Sequence, residues 1–222
     1  NGKEKSIQIP GCQFLLNGVP ITKDEAMAIS SINGRVDVVL NNGADLNCVM
    51  IWNYSSHPVS VSHKGLVYFK EGYALNGKNF LNIDLDEENV KFVVLSAEGA
   101  LISPDEIQAG DIVSVYADVG GSRYTIYVSN EKATGTITMQ DDESVTVDGT
   151  AYPKNKDTKL KASVGNAVVL YLDYLGRAAY AEQEETKEKY GYIIPKNSSA
   201  VSDVATFKEK PDAETAKAYI AQ

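Results

Sequence analysis

Cysteine and histidine are nearly absent from these 222 residues, with two of each: Cys12 and Cys48, His57 and His63. Two cysteines cannot build a disulfide scaffold or a tetrahedral structural zinc site. They can make one bridge at most, and the simpler expectation is two free thiols behaving as small apolar residues. Basic side chains are also outnumbered, 21 against 30 acidic ones, for a net charge of −9. A phosphate backbone is held by a basic face, so this balance argues against a nucleic-acid partner and against an anionic membrane surface. No apolar run approaches the roughly 18 residues of a membrane-spanning helix. Nothing reads as a signal peptide. The polar opening "NGKEKS" suggests a piece cut from a longer polypeptide.

Catalytic signatures are missing as well. There is no nucleophile elbow, phosphate-binding loop or zinc-protease helix. His57 and His63 would share one strand face, but no Cys or Glu stands at metal-ligand spacing, so they read as solvent-exposed strand residues. In "SSH" at 55–57 adjacent strand side chains point to opposite faces, which argues against a nucleophile–base pair. "DLDEEN" places Asp84, Asp86 and Glu88 like the opening of a calcium loop. It lacks the glycine at the sixth position and the late bidentate glutamate, so a solvated turn is expected. No pair of carboxylates stands out for glycoside hydrolysis. Thirteen tyrosines against one tryptophan, Trp52, suggest a sugar platform, but ordinary strand composition explains them equally well. No catalytic, cofactor-binding or metal-binding residue is assigned, and the expectation is a non-enzyme without a cofactor.

What the chain does have is β punctuation. Asn17-Gly18 between apolar runs predicts a hairpin. "TKDEAMAISSI" predicts a short helix capped by Asp24, with Ala26, Met27 and Ile29 as its apolar side. Strands are expected at "RVDVVLN", "NCVMIWNYSS", "PVSVSHK", "GLVYFKE" and "KFVVLSAEG". "ISPDEIQAGD" predicts a single helical turn starting at Pro104, capped by Ser103 and ended by Gly110, and a domain entrance near residue 100. Beyond it, "RYTIYVS" sets Tyr124, Ile126 and Val128 on one face and Arg123, Thr125, Tyr127 and Ser129 on the other. "TITMQ" and "SVTVDG" flank the acidic turn Asp141-Asp142-Glu143, and Asp148-Gly149 makes a further turn. "EETKEKY" reads as a connector, "GYIIP" as a strand, and Pro211 to Gln222 as a short closing helix or the start of another unit.

The expected fold is therefore all-β with one or two short helices, none above about three turns. Two small antiparallel barrel or sandwich domains stand in tandem: 1–100, then 101–183 with paired hairpins, with 184–222 as connector and closing elements.

One stretch occurs twice. "AGDIVSVYADVGG" (109–121) and "VGNAVVLYLDYLG" (164–176) share Gly110/Gly165, Val113/Val168, Tyr116/Tyr171, Asp118/Asp173 and Gly121/Gly176. Period-two alternation puts Val113, Val115 and Ala117 on one face, and Val168, Leu170 and Leu172 on the corresponding one. Tyr116 and Tyr171 point the other way. Two similar hairpins covering one small core are expected.

The phrases "IQAGDIVSVYAD", "YTIYVSNEKATGTIT", "VTVDGTAYP", "VGNAVVLYLDYLGRAAYAE" and "YGYI" stand in one order. As a set, they resemble the β-rich repeat regions of Gram-positive bacterial surface proteins that carry S-layer homology domains. The resemblance covers roughly residues 85–194. "INGRVDVVLNN" fits it more loosely, because the following turn, Asn41 to Asp45, is short of acidic ligands. The wall-anchoring repeats of such proteins are absent from this sequence. The resemblance implies an extracellular, cell-surface or cell-wall location and a non-enzymatic spacer or assembly role. The partners it implies are neighbouring domains or surface subunits. A carbohydrate- or host-binding adhesion module, engaging wall or host polysaccharide, is the alternative that a groove of exposed aromatics would favour. A phage virion or tail component is a third.

Overall fold

Asn17 and Gly18 both take positive φ, 50° and 83°, as a two-residue hairpin turn requires. They join β1 (Gln13–Leu16) to β2 (Val19–Ile21). The structure, a computed structural model, describes residues 11–41, 45–183, 191–193, 205–209 and 218–221. The chain forms two compact units, Asn1–Glu184 and Glu185–Gln222. Among the described residues there is one α-helix, α1 (Lys23–Ala28), and no helix long and apolar enough to cross a membrane. The fold is all-β, its sheets arranged like sandwiches and not closed into barrels.

After α1 come β3 (Gly34–Asn41), β4 (Asp45–Asn53), β5 (Ser55–His63), β6 (Leu66–Phe69), β7 (Phe80–Asn82) and β8 (Lys91–Ser96). A 3₁₀ turn (Pro104–Glu106) leads to β9 (Ile112–Ala117) and β10 (Arg123–Ser129). Then follow β11 (Lys132–Gln140), β12 (Ser144–Val147), β13 (Thr150–Pro153), β14 (Ala167–Leu172) and β15 (Ala178–Gln183). The first unit holds three sheets, ordered β2-β1-β4-β3, β7-β6-β5-β9-β10-β8 and β13-β12-β11-β14-β15. The second unit holds β16 (Gly191–Ile193), β17 (Ala205–Glu209) and β18 (Ala218–Ala221), paired in that order.

Several expectations are corrected. The sheets are not purely antiparallel: β1 runs parallel to β4 and β8 parallel to β10. The boundary expected near residue 100 does not divide the fold, because β5 pairs with β9 and β8 with β10 across that position. The entrance turn exists, with Ser103 and Glu106 forming its capping box, but it lies inside one six-stranded sheet. Helix α1 is capped by Thr22 and not by Asp24. The Thr22 hydroxyl accepts the Glu25 N–H at 3.2 Å, and the Glu25 carboxylate accepts the Thr22 N–H at 2.7 Å, so this reciprocal pair fixes the cap two residues earlier. No residue of the helix is buried. At the far end Ala218–Ala221 is a strand paired with β17, where a closing helix was expected; residues 211–217 lie outside the described residues. Tyr219 and Ile220 favour strand geometry once a partner is at hand.

The sequence repeat marks a larger duplication. The order β7-β6-β5-β9-β10 is matched position for position by β13-β12-β11-β14-β15. Gly110 N–H donates to the Val59 carbonyl at 2.9 Å, and Gly165 N–H to the Ile137 carbonyl at 2.8 Å. Val59 N–H donates back to the Asp111 carbonyl, and Ile137 N–H to that of Asn166. Gln108 N–H is held by the Asp111 carboxylate and Ser163 N–H by the Asn166 side-chain oxygen, both at 2.8 Å. Register shifts follow Val59 in β5 and Ile137 in β11. At the other end, Asp118 accepts the N–H groups of Ser122 and Arg123, and Asp173 those of Leu175 and Arg177. The conserved glycines of the repeat are thus turn residues whose neighbouring Asp or Asn tethers the loop. Strand β8 is the addition peculiar to the first copy.

The two copies do not share a core. Val113 and Val115 pack with Val59, Val94, Ile126 and Val128, whereas Val168, Leu170 and Leu172 pack with Ile137, Val145 and Val147. The expected single core is thus corrected to two, with Tyr180 of β15 packed against the first. Tyr116 and Tyr171 do point away from these cores. Tyr171, however, is buried against Ile112 and Ala179 between the sheets. Because Leu170 is fully buried, Leu170→Ala is expected to lower the urea-derived stability by about 2–5 kcal/mol. With separate cores, Val115→Ala and Leu170→Ala should add to within about 0.5 kcal/mol in the double variant; strong coupling would mean one shared core.

Candidate functional site

Where the three sheets of the first unit meet, a buried polar cluster lies beside the small apolar contact of Ile112, Tyr171 and Ala179. Asn155 is almost fully buried, and all its hydrogen-bonding capacity is used. Its side-chain nitrogen donates to Ser56 Oγ at 2.8 Å and Asp173 Oδ2 at 2.7 Å. Its oxygen accepts from Asn33 Nδ2 at 2.8 Å and from the Asp157 N–H at 2.9 Å. Asp173 has no exposed surface, and each of its oxygens accepts two hydrogen bonds: Tyr54 Oη and Asn155 on one, the Leu175 and Arg177 amides on the other. A buried carboxylate survives only when so satisfied. Burial pushes the Asp157 carboxyl upward, opposed by hydrogen bonds from the Ser56 amide and the Asn33 side chain. Burial also drives the Tyr54 phenol well above its ordinary range, helped by the Asp173 carboxylate. Asn17 adds a second staple: its side chain donates to the Asn53 and Ala117 carbonyls and accepts the Asn53 N–H.

These staples leave a groove of about 740 Å³ open on one side of the junction. One wall comes from the first sheet. Gly34 opens β3 so close to β4 that a Cβ there would lie 2.1 Å from the Trp52 carbonyl oxygen, and Arg35 stands directly opposite Trp52. The Arg35 guanidinium sits 5.6 Å over the indole, a cation–π contact. Arg35 Nε and Trp52 Nε1 both donate to Asp37 Oδ2, at 3.0 and 2.9 Å. The other wall is tyrosine. Tyr127 and Tyr174 stack with centroids 4.2 Å apart and planes 16° apart, and the Tyr116 and Tyr174 hydroxyls hydrogen-bond each other. Burial raises both of these phenols, so they remain neutral O–H groups at physiological pH. The floor is the face of β8 and β10 turned away from the core, with Lys91, Val93, Arg123, Thr125 and Tyr127 alternating along it.

Trp52 therefore lies in a site, while the other residues weighed in the sequence do not converge. His63 is exposed, but His57 is 3% exposed and stacked 4.4 Å from Phe69, which corrects the expectation of two solvent-facing histidines. The register shift between Val59 and Val61 separates their environments. The serine that meets His57 is Ser55, two residues away on the same face, with Oγ 2.8 Å from Nε2. His57 Nδ1 has no partner, so no third group orients the ring, as a triad would require. Asp84 folds onto its own loop by accepting the Asp86 N–H, and Asp84, Asp86 and Glu88 are exposed. Among the described residues no group of three or more His, Cys, Asp or Glu is placed to share a metal. Cys12 and Cys48 are free, half-buried thiols.

The groove was not foreseen as a unit. Its signal lay in the alternation of aromatic and cationic residues on the outer face of "RYTIYVS", and in Tyr174, which stands in the second copy where the first has Val119. The chain matches no protein-family model, no curated protein and no solved structure.

His57 carries a pH dependence. Burial lowers its pKa from 6.5 to about 4, with Lys159 as a lesser cause. Between those values the unfolded chain binds the extra proton and the folded chain does not, so stability rises with pH across the window. The contribution is complete above pH 6.5 and lost as pH falls towards 4, on the order of 3 kcal/mol in all. Urea titrations at pH 7 and pH 4.5 should show the wild type losing about 2 kcal/mol more than His57→Gln; equal losses would contradict it.

Proposed function

We propose that this chain is a non-enzymatic carbohydrate-binding module of a bacterial cell-surface protein. The observation that carries the reading is the groove in which Trp52, Tyr116, Tyr127 and Tyr174 gather with hydroxyl and guanidinium donors. Sugars present apolar C–H faces that stack on aromatic rings and rims of hydroxyls that need hydrogen-bond partners. A concave site combining flat rings with a few polar groups provides for both. The rings are held before any ligand arrives: the Trp52 nitrogen by Asp37, and Tyr174 by its stack on Tyr127 and its bond to Tyr116. Preorganisation of this kind reduces the entropy lost on binding. The cell-surface setting rests on the sequence resemblance of residues 85–194.

A spacer or assembly role in the same surface protein is the second reading, and the duplicated sheet favours it. Repetition of one β unit extends a chain without demanding a ligand. The groove lies beyond what a spacer needs, and it favours a binding role.

The test is titration of the full chain with neutral and charged oligosaccharides, followed by Trp52 fluorescence and calorimetry. Saturable binding is expected, with Tyr127→Ala and Trp52→Ala each weakening it about tenfold, equivalent to about 1.4 kcal/mol. Their melting temperatures should stay near that of the wild type. Absence of binding to every saccharide tried, or variants that bind as well as the wild type, would defeat the proposal.

A further inference from the structure

We infer that the saccharide taken by this groove is anionic, carrying carboxylate or sulfate; this rests on the reading of the groove as a sugar site and narrows it. The chain as a whole carries nine more negative than positive charges, yet the groove has the opposite sign. Arg35, Lys91 and Arg123 line it, and among the described residues no carboxylate does. Arg35 is already paired with Asp37. Lys91 and Arg123 make no ion pair with any described residue.

Lys91 of β8 and Arg123 of β10 are register partners on adjacent parallel strands. Like charges set opposite each other in a sheet destabilise it, and no ion pair with a described residue relieves either cation. The nearest acidic residue in the turn, Asp118, is occupied by the Ser122 and Arg123 backbone amides and the Ser122 hydroxyl. An anionic group between the two cations would replace repulsion with charge-assisted hydrogen bonds, bidentate in the case of Arg123. Tyr127, Tyr174 and Trp52 then lie within the same groove to stack on the sugar rings. A single-stranded nucleic acid also combines bases that stack with a phosphate chain. Three cations in one short groove on an acidic protein fit a short anionic glycan better than a long polyanion.

The experiment compares four probes on the intact chain by calorimetry at low and moderate salt: an oligouronate, the same oligosaccharide after carboxyl reduction, a sulfated oligosaccharide, and a single-stranded oligonucleotide. The expected result is that a charged oligosaccharide binds at least tenfold more tightly than the carboxyl-reduced one, and that added salt weakens only the charged ligand. Whichever of the uronate and the sulfated sugar binds better identifies the anion. Arg123→Gln and Lys91→Gln should each lose about tenfold for the charged ligand and little for the neutral one. Without ligand, Lys91→Gln should raise the melting temperature by removing the repulsion, a readout that does not depend on having the right sugar. Equal affinity for the charged and reduced forms would overturn this inference while leaving the sugar site standing. Tighter binding of the oligonucleotide than of any sugar would overturn both.

Discussion

Asn155 and Asp173 hold the first unit together. The six- and five-stranded sheets have apolar cores of their own and touch through the small apolar group of Ile112, Tyr171 and Ala179, but the junction of all three sheets is crossed by side-chain hydrogen bonds from Asn33, Tyr54, Ser56, Asn155, Asp157 and Asp173. Such a network is only as good as its completeness, since a buried polar group left without a partner costs about 1–3 kcal/mol. Here the two central residues have no capacity to spare. The arrangement fixes a specific relative placement of the sheets, which apolar contact alone specifies less sharply because it is non-directional.

The groove is a consequence of that placement. Trp52 and Arg35 come from one sheet, Lys91, Tyr116, Arg123 and Tyr127 from the second, and Tyr174 from the third. Asp173, at the centre of the network, is the residue immediately before Tyr174. Its hydrogen bonds to Leu175 and Arg177 shape the turn on which Tyr174 stands. The duplicated Asp118 shapes the equivalent turn in the first copy, beside Arg123. One repeated aspartate thus serves twice: in the first copy it presents a cation, and in the second it presents an aromatic ring and anchors a sheet junction. The repeated strand order forms the scaffold, and the differences between the two turns shape the groove.

Much of the fold was legible in the sequence. The Asn17-Gly18 hairpin, strands β3 to β6, β8 to β12 and β14, and the Ser103 cap follow from turn chemistry and period-two alternation, which are local properties; the three-residue β7 was not foreseen. The repeat was visible because identical turn residues recur at a fixed offset, and the equivalence of the hairpins follows from it. What was not legible is what depends on sheet assembly. No local rule told that β8 pairs with β10, so the expected division near residue 100 fell inside a sheet. His57 is buried because residues 56–59 of β5 are covered on both faces, which local alternation does not reveal. The groove draws on residues from 17 to 175, and each of them alone reads as ordinary strand composition.

The buried network couples the three sheets into one cooperative unit. Amide hydrogen exchange on the full chain, comparing wild type with Asn155→Ala, tests it most directly. Removing this side chain leaves Asn33, Ser56 and Asp173 each short of a partner. Protection should then fall together in β3–β4, around Ser56 in β5, and in β14–β15, though these segments are far apart in sequence. Loss of protection confined to residues 150–183, with the other two sheets unchanged, would contradict the account.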